Sequence, residues 1–225
     1  MVMSFFRKGS DSVGLESVET RSIAMLGDAR HSFDLANTAL LTDAVPDRIA
    51  EDIRSTDQRI NQAEQDLRSE LVVHVSVQGT ADIASVLGLI LLLKKIERIG
   101  DQAKNILDLA ESGVSLADAE DIAELRAENQ EVSELYGEAG ALLADPETHR
   151  AEKFVTRVTE LIAIYQTKID SYMFSDRPGR EVVPRAIYYR YLKRIVANLR
   201  GIVGVALNPL PHIDYLDEGA TDTDD

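Results

Sequence analysis

Leu89, Leu92, Ile96, Ile99, Ala103, Ile106 and Ala110 recur at alternating steps of three and four residues. That period is the seam of a helical bundle or coiled coil, because it keeps one apolar stripe of a helix turned toward a partner. The stripe stops at Glu111-Ser112-Gly113, where glycine supplies the usual helix end. Proline stands only at 46, 146, 178, 184, 209 and 211, and long proline-free stretches with few glycines favour helices over a many-stranded sheet.

The rest of the chain follows this lead. Glu19 to Leu41 has apolar residues at helical spacing, and Asp43-Ala44-Val45-Pro46-Asp47 reads as a turn into a second helix with proline near its start. That second helix is charged and periodic through Ile49, Ile53, Ile60, Ala63, Leu67 and Leu71. Residues 71–77, LVVHVSV, alternate and are β-branched, which by propensity alone is a strand. With no partner strand nearby, they are expected to form the buried end of the second helix, with His74 a hydrogen-bonded core histidine. After Gly113 come Leu116 to Ala144, a break at Asp145-Pro146, Glu147 to Phe174, a loop through Asp176-Arg177-Pro178-Gly179, and Glu181 to Leu207. Three long helices and then three more predict an all-α fold of two tandem three-helix bundles. The expected divisions are an extension over 1–20, repeats over 21–113 and 114–213, and a solvated, disordered acidic tail over 214–225.

Charge divides unevenly along this plan. The chain has 225 residues and a net charge of -15, yet residues 152–213 carry ten basic and five acidic side chains. Residues 113–151 carry ten acidic and two basic, and the tail has six acidic and none basic. The basic island centres on Arg185, Arg190, Lys193, Arg194 and Arg200, and ion pairs with the acidic fourth helix account for it better than an anion-binding face. The whole-chain charge disfavours nucleic acid as a partner. Without cysteine there is no disulfide framework, thiolate zinc site or cysteine nucleophile. The longest apolar stretch, residues 83–93, is broken by Ser85 and Gly88 and falls short of the roughly 20 residues of a membrane span. At the start, Arg7-Lys8 follows the two Phe, the reverse of a secretory signal, so a cytoplasmic, not membrane-spanning protein is expected.

Chemistry concentrates in KKIERIGDQAKNILDLAESG, residues 94–113. Glu97 and Asp101 lie four apart and share a helix face, with Gly100 between them leaving room for close approach. Two carboxylates so placed repel unless a cation lies between them, and oxygen donors suit Mg, Mn, Fe or Zn. The plainer reading is a solvated face on which Glu97 pairs with Lys94 and Asp101 with Lys104. No Glu-x-x-His pair exists, so His31, one turn after Asp28, gives poor support to a diiron oxidase. Tyr188, Tyr189 and Tyr191 are expected to pack or hydrogen-bond at the bundle end.

ERIGDQAKNI, closing a third helix after an apolar run, resembles the signature of the PhoU family, LERIGDHAxNI. Met25-Leu26-Gly27-Asp28 resembles that family's opening helix, and Asp57-Gln58-Arg59-Ile60-Asn61-Gln62-Ala63-Glu64 its D-x-x-[IV]-[DN]-x-x-E stretch. The resemblance spans about 20 to 213. It implies two three-helix bundles and a regulator of phosphate transport and phosphate signalling, acting on a transporter ATPase subunit or a sensor histidine kinase, with a homodimer as one arrangement it allows. It also implies a metal or metal cluster on Glu97 and Asp101 with Asp57, and with Asp28 as a further ligand. The second repeat departs from the signature: Lys193 stands in the place of Glu97, Ala197 in that of Asp101, and Ile162 where an acid is usual. No metal cluster is expected there. Two other classes compete: a metal-dependent hydrolase or oxidase on a helical bundle, and a helical scaffold whose metal motif is vestigial.

Overall fold

In a computed structural model, the described residues are 13–42 and 47–207. They form six helices and, among the described residues, no strand: α1 (Val13–Thr42), α2 (Asp47–Gln78), α3 (Ile83–Glu111), α4 (Ile122–Ala144), α5 (Thr148–Met173) and α6 (Gly179–Leu207). The seam residues of α3 are all buried, which is what a three-four apolar stripe demands. α3 closes at Gly113, whose φ of 88° only glycine takes without strain. At α5, Glu147 is the N-cap, its carboxylate accepting from the backbone N–H groups of His149 and Arg150.

α1 packs on α2, α3 and α4, while α6 packs on α3, α4 and α5. The bundles α1–α3 and α4–α6 therefore join through α1 with α4 and α3 with α6, leaving α2 and α5 as outer helices. α1 and α4 run antiparallel, since Leu26 lies beside Gly140 and Arg30 beside Gly137 and Ser133. The junction is apolar and aromatic: Phe33 and Tyr136 are buried with ring centroids 5.4 Å apart. Polar links cross it as well, among them the Tyr188 hydroxyl donating to Asn37 Oδ1 at 2.6 Å, both residues being fully buried, and Arg30 Nε donating to Ser133 Oγ at 3.0 Å. Tyr189 is buried as well, and Tyr191 packs against the core edge, so the three tyrosines pack or hydrogen-bond as expected.

The structure changes the reading in several places. α1 starts at Val13, inside the expected extension. α4 starts at Ile122 instead of Leu116 because Leu116 is buried and its N–H donates to Leu40 O, closing the end of α1. Residues 71–77 are helical, as anticipated, but that end of α2 is not buried throughout: Val72, Val73 and Val77 are 60%, 61% and 74% exposed. An outer helix packed mainly on α1 and α3 covers one face, and Leu71, His74 and Val75 take it. His74 is nearly buried, with Nε2 3.1 Å from Asp82 Oδ2. The turn at 43–46 and the acidic tail lie outside the described residues.

Candidate functional site

The motif carboxylates line the seam between α2 and α3. Gly100 makes that approach possible, because a Cβ there would lie 3.2 Å from Ile60 Cδ1 of α2. Across the narrow contact, Asp57 of α2 joins Glu97 and Asp101 of α3. Asp57 and Glu97 are mostly covered, with side chains 13% and 16% exposed, whereas Asp101 is 41% exposed.

Their charges act on one another. Burial pushes the Asp101 carboxyl above its ordinary value; Glu97 and Asp57 push it further, against Lys104 and Lys94. Lys104 Nζ lies 3.2 Å from Asp57 Oδ2 and 3.9 Å from Asp101 Oδ1, bridging two helices. Although burial opposes its charge, the Asp57 bond and the neighbouring carboxylates hold Lys104 above its usual value. Lys94 Nζ lies 2.8 Å from Glu97 Oε2, yet that buried oxygen accepts no well-directed hydrogen bond. Asn61 donates to Asp57 at 3.4 Å, and the buried Glu64 accepts from Arg68.

Three of the four residues expected to bind metal thus share one electrostatic site. Asp28 pairs with Arg59 of α2 at 3.7 Å. Asp57, Glu97 and Asp101 offer the hard oxygen donors that Mg, Mn, Fe or Zn take, and Glu97 Oε2 is a buried acceptor in want of a donor. As the side chains stand, the described residues hold no group of three or more His, Cys, Asp or Glu close enough to bind a metal ion, and Lys94 and Lys104 lie against the carboxylates. Both are the side chains the solvated-face reading named, but the bond from Lys104 to Asp57 joins residues 47 apart and had no local signal.

The second repeat meets the same problem differently. Lys193 donates to Gln166 Oε1 at 2.6 Å, and Arg200, in the register of Lys104, donates to Thr159 at 3.3 Å. By contact Thr159 is the counterpart of Asp57, and Ile162 packs against the core. The acids of this repeat stand on α4. Lys168 of α5 lies 2.7 Å from Glu124 and 2.5 Å from Glu128, and also donates to the Tyr189 hydroxyl. Burial opposes its charge, but those carboxylates raise its pKa. Arg185 pairs with Asp121 and overcomes the burial that would raise that carboxyl, so Asp121 titrates below its ordinary value. Ion pairs with α4 thus account for Arg185, as anticipated. Sequence reasoning missed Lys168, although Asp121, Glu124 and Glu128 at helical spacing were a signal for it.

The model of the PhoU domain family matches residues 23–110. No curated protein matches the chain. Among solved structures it is similar to the crystal structure of PhoU from Pseudomonas aeruginosa, at 24% identity and a TM-score of 0.71, covering 92% of this chain and 98% of that one. At that identity the likeness concerns the fold.

Proposed function

We propose that this chain, whose residues 23–110 match the PhoU domain family, is a PhoU-like regulator of phosphate transport and phosphate signalling that acts by binding a protein partner. The partner class is a transporter ATPase subunit or a sensor histidine kinase. No helix among the described residues is long and apolar enough to cross a membrane.

The observation that carries the site-level reading is the convergence of Asp57 on Glu97 and Asp101 across the α2–α3 contact, beside a buried Glu97 oxygen that lacks a directed donor. In this reading the three carboxylates hold a divalent or ferric ion once Lys94 and Lys104 turn to solvent. A bound ion supplies the positive charge that relieves their repulsion and ties α2 to α3. Metal content and calorimetric titration with Mn or Zn test it. The wild type binds, and Glu97→Gln with Asp101→Asn loses that binding; equal binding by both proteins sinks the site assignment. Regulation is tested separately, by phosphate uptake in cells lacking the protein, where uptake should no longer fall at high phosphate.

One observation favours a second reading. Each of the three carboxylates already has a lysine within 4 Å, which is what a scaffold with a vestigial motif needs to stay folded without metal. Partner binding that survives chelation supports that reading.

A further inference from the structure

Past Glu181, α6 carries no acid, and its cations are Arg185, Arg190, Lys193, Arg194 and Arg200. Arg185 is paired with Asp121, but among the described residues no ion pair reaches Arg190, Lys193 or Arg194. These three stand at spacings of three and four within one turn, so like charges share a face and repel. The facing helix does not relieve them. Asp170 of α5 accepts from Gln166 Nε2 at 2.7 Å, and that bond turns the Gln166 amide oxygen to Lys193 Nζ, 2.6 Å away. The half-buried ammonium therefore meets a neutral acceptor. In the register of the first repeat, Arg190 stands in the place of Lys94, Lys193 in that of Glu97 and Ala197 in that of Asp101. The first seam sets lysines over carboxylates, whereas this one keeps the cations and has lost the acids.

We propose that this turn of α6, together with Gln166, is a binding site for a small tetrahedral oxyanion, with hydrogen phosphate as the species it fits. Arg190 and Arg194 are exposed, and each carries a guanidinium fork that matches two oxygens of such an anion. Lys193 has three N–H donors and uses one on Gln166, which leaves two for the ligand. Gln166 Oε1 has a second lone pair, and it can accept the P–OH of hydrogen phosphate. Sulfate has no proton to give at neutral pH, so the same acceptor selects phosphate over sulfate. On the next turn, Ala197 has no long side chain to crowd the anion. The inference rests on α5 and α6 alone and stands whether or not the carboxylate seam of the first repeat takes a metal.

The full-length protein, stripped of metal so that no ion at the carboxylate seam can carry the anion, is titrated with inorganic phosphate by calorimetry at constant ionic strength. Saturable binding is expected, several-fold tighter than that of sulfate. Arg190→Gln, Lys193→Gln and Arg194→Gln together should weaken it roughly tenfold or more, the scale of losing charge-assisted hydrogen bonds. Lys193→Arg, which keeps the charge, should lose far less, and Lys94→Gln in the first repeat should change nothing. Because no ion pair is broken and a repulsion is removed, the triple variant without phosphate should unfold at the same or a higher urea concentration than the wild type. Equal phosphate affinity in wild type and triple variant, sulfate bound as tightly as phosphate, or binding abolished by chloride at matched ionic strength would overturn the proposal. Earlier unfolding of the triple variant would overturn it by making these cations structural. Binding that emerges only after residues 214–225 are deleted would also overturn it, giving this turn to the acidic C-terminal segment.

Discussion

The two repeats share a helical plan and solve opposite electrostatic problems. In the first, acids lie between the outer helix and the third helix, and Lys94 and Lys104 lean over them from partly exposed positions. In the second, the corresponding seam carries Lys193 and Arg200 on the neutral acceptors Gln166 and Thr159, while the acids sit on α4 and are tied down by Lys168 and Arg185. Counter-charge in the second repeat is part of a hydrogen-bonded network whose cations, Lys168 and Arg185, are mostly covered. In the first it is supplied by Lys94 and Lys104, whose side chains are 45% and 35% exposed.

The largest expected effect tests whether the repeats form one unit at all. Phe33→Ala removes a ring that fills the junction against Tyr136 and should cost about 3–5 kcal/mol with a single unfolding transition. Two separated transitions in urea would show that the repeats fold independently and that their contrast is accidental. Next, Lys168→Met should cost about 2 kcal/mol, less than a fully buried pair because Glu124 is exposed. Lys104→Met should cost no more than about 1 kcal/mol and should raise Mn or Zn affinity at the first seam. Equal costs in a denaturant titration would erase the distinction between fixed and removable counter-charge.

Acid should move the repeats in opposite directions. Because the folded Asp101 binds its proton more tightly than the unfolded chain does, stability in α2–α3 should rise as pH falls toward the ordinary carboxylate value through the raised one. Asp121 is depressed, so its contribution is present above the ordinary value and is lost as pH falls through its lowered pKa. Amide exchange resolved by helix reads both, and parallel responses would contradict the assignment. The smallest effect belongs to Asp28: Arg59→Ala should change stability by no more than about 0.5 kcal/mol and leave the Asp101 titration where it is. A shifted Asp101 would bring Asp28 back into the site.

Much of this was legible in the chain. The step of three and four in α3, the glycine stop and the proline positions identified six helices in two sets, because helix period and helix ends are local properties. Residues 71–77 show the boundary of such reasoning. Their helix was readable against β propensity, but the exposure of Val72, Val73 and Val77 was not, since it depends on how many neighbours α2 has. The start of α4 likewise shifted to Ile122 because Leu116 closes α1, a contact 76 residues away in sequence.

By itself, the sequence determined the helices, their duplication in plan, and a motif that put Glu97 and Asp101 on one face with Asp57 as their nearest candidate from another helix. Only the tertiary structure decided which charges meet. Lys104 reaches Asp57 over 47 positions, and Lys168 reaches Glu124 and Glu128 over 44 and 40, while Asp28 pairs with Arg59. The reason is physical: a helix's period follows from backbone geometry within a few residues, whereas the partner of a charged side chain is set by which helix packs beside it and how closely. Here that was fixed by apolar contacts such as Gly100 against Ile60, which no charge pattern encodes.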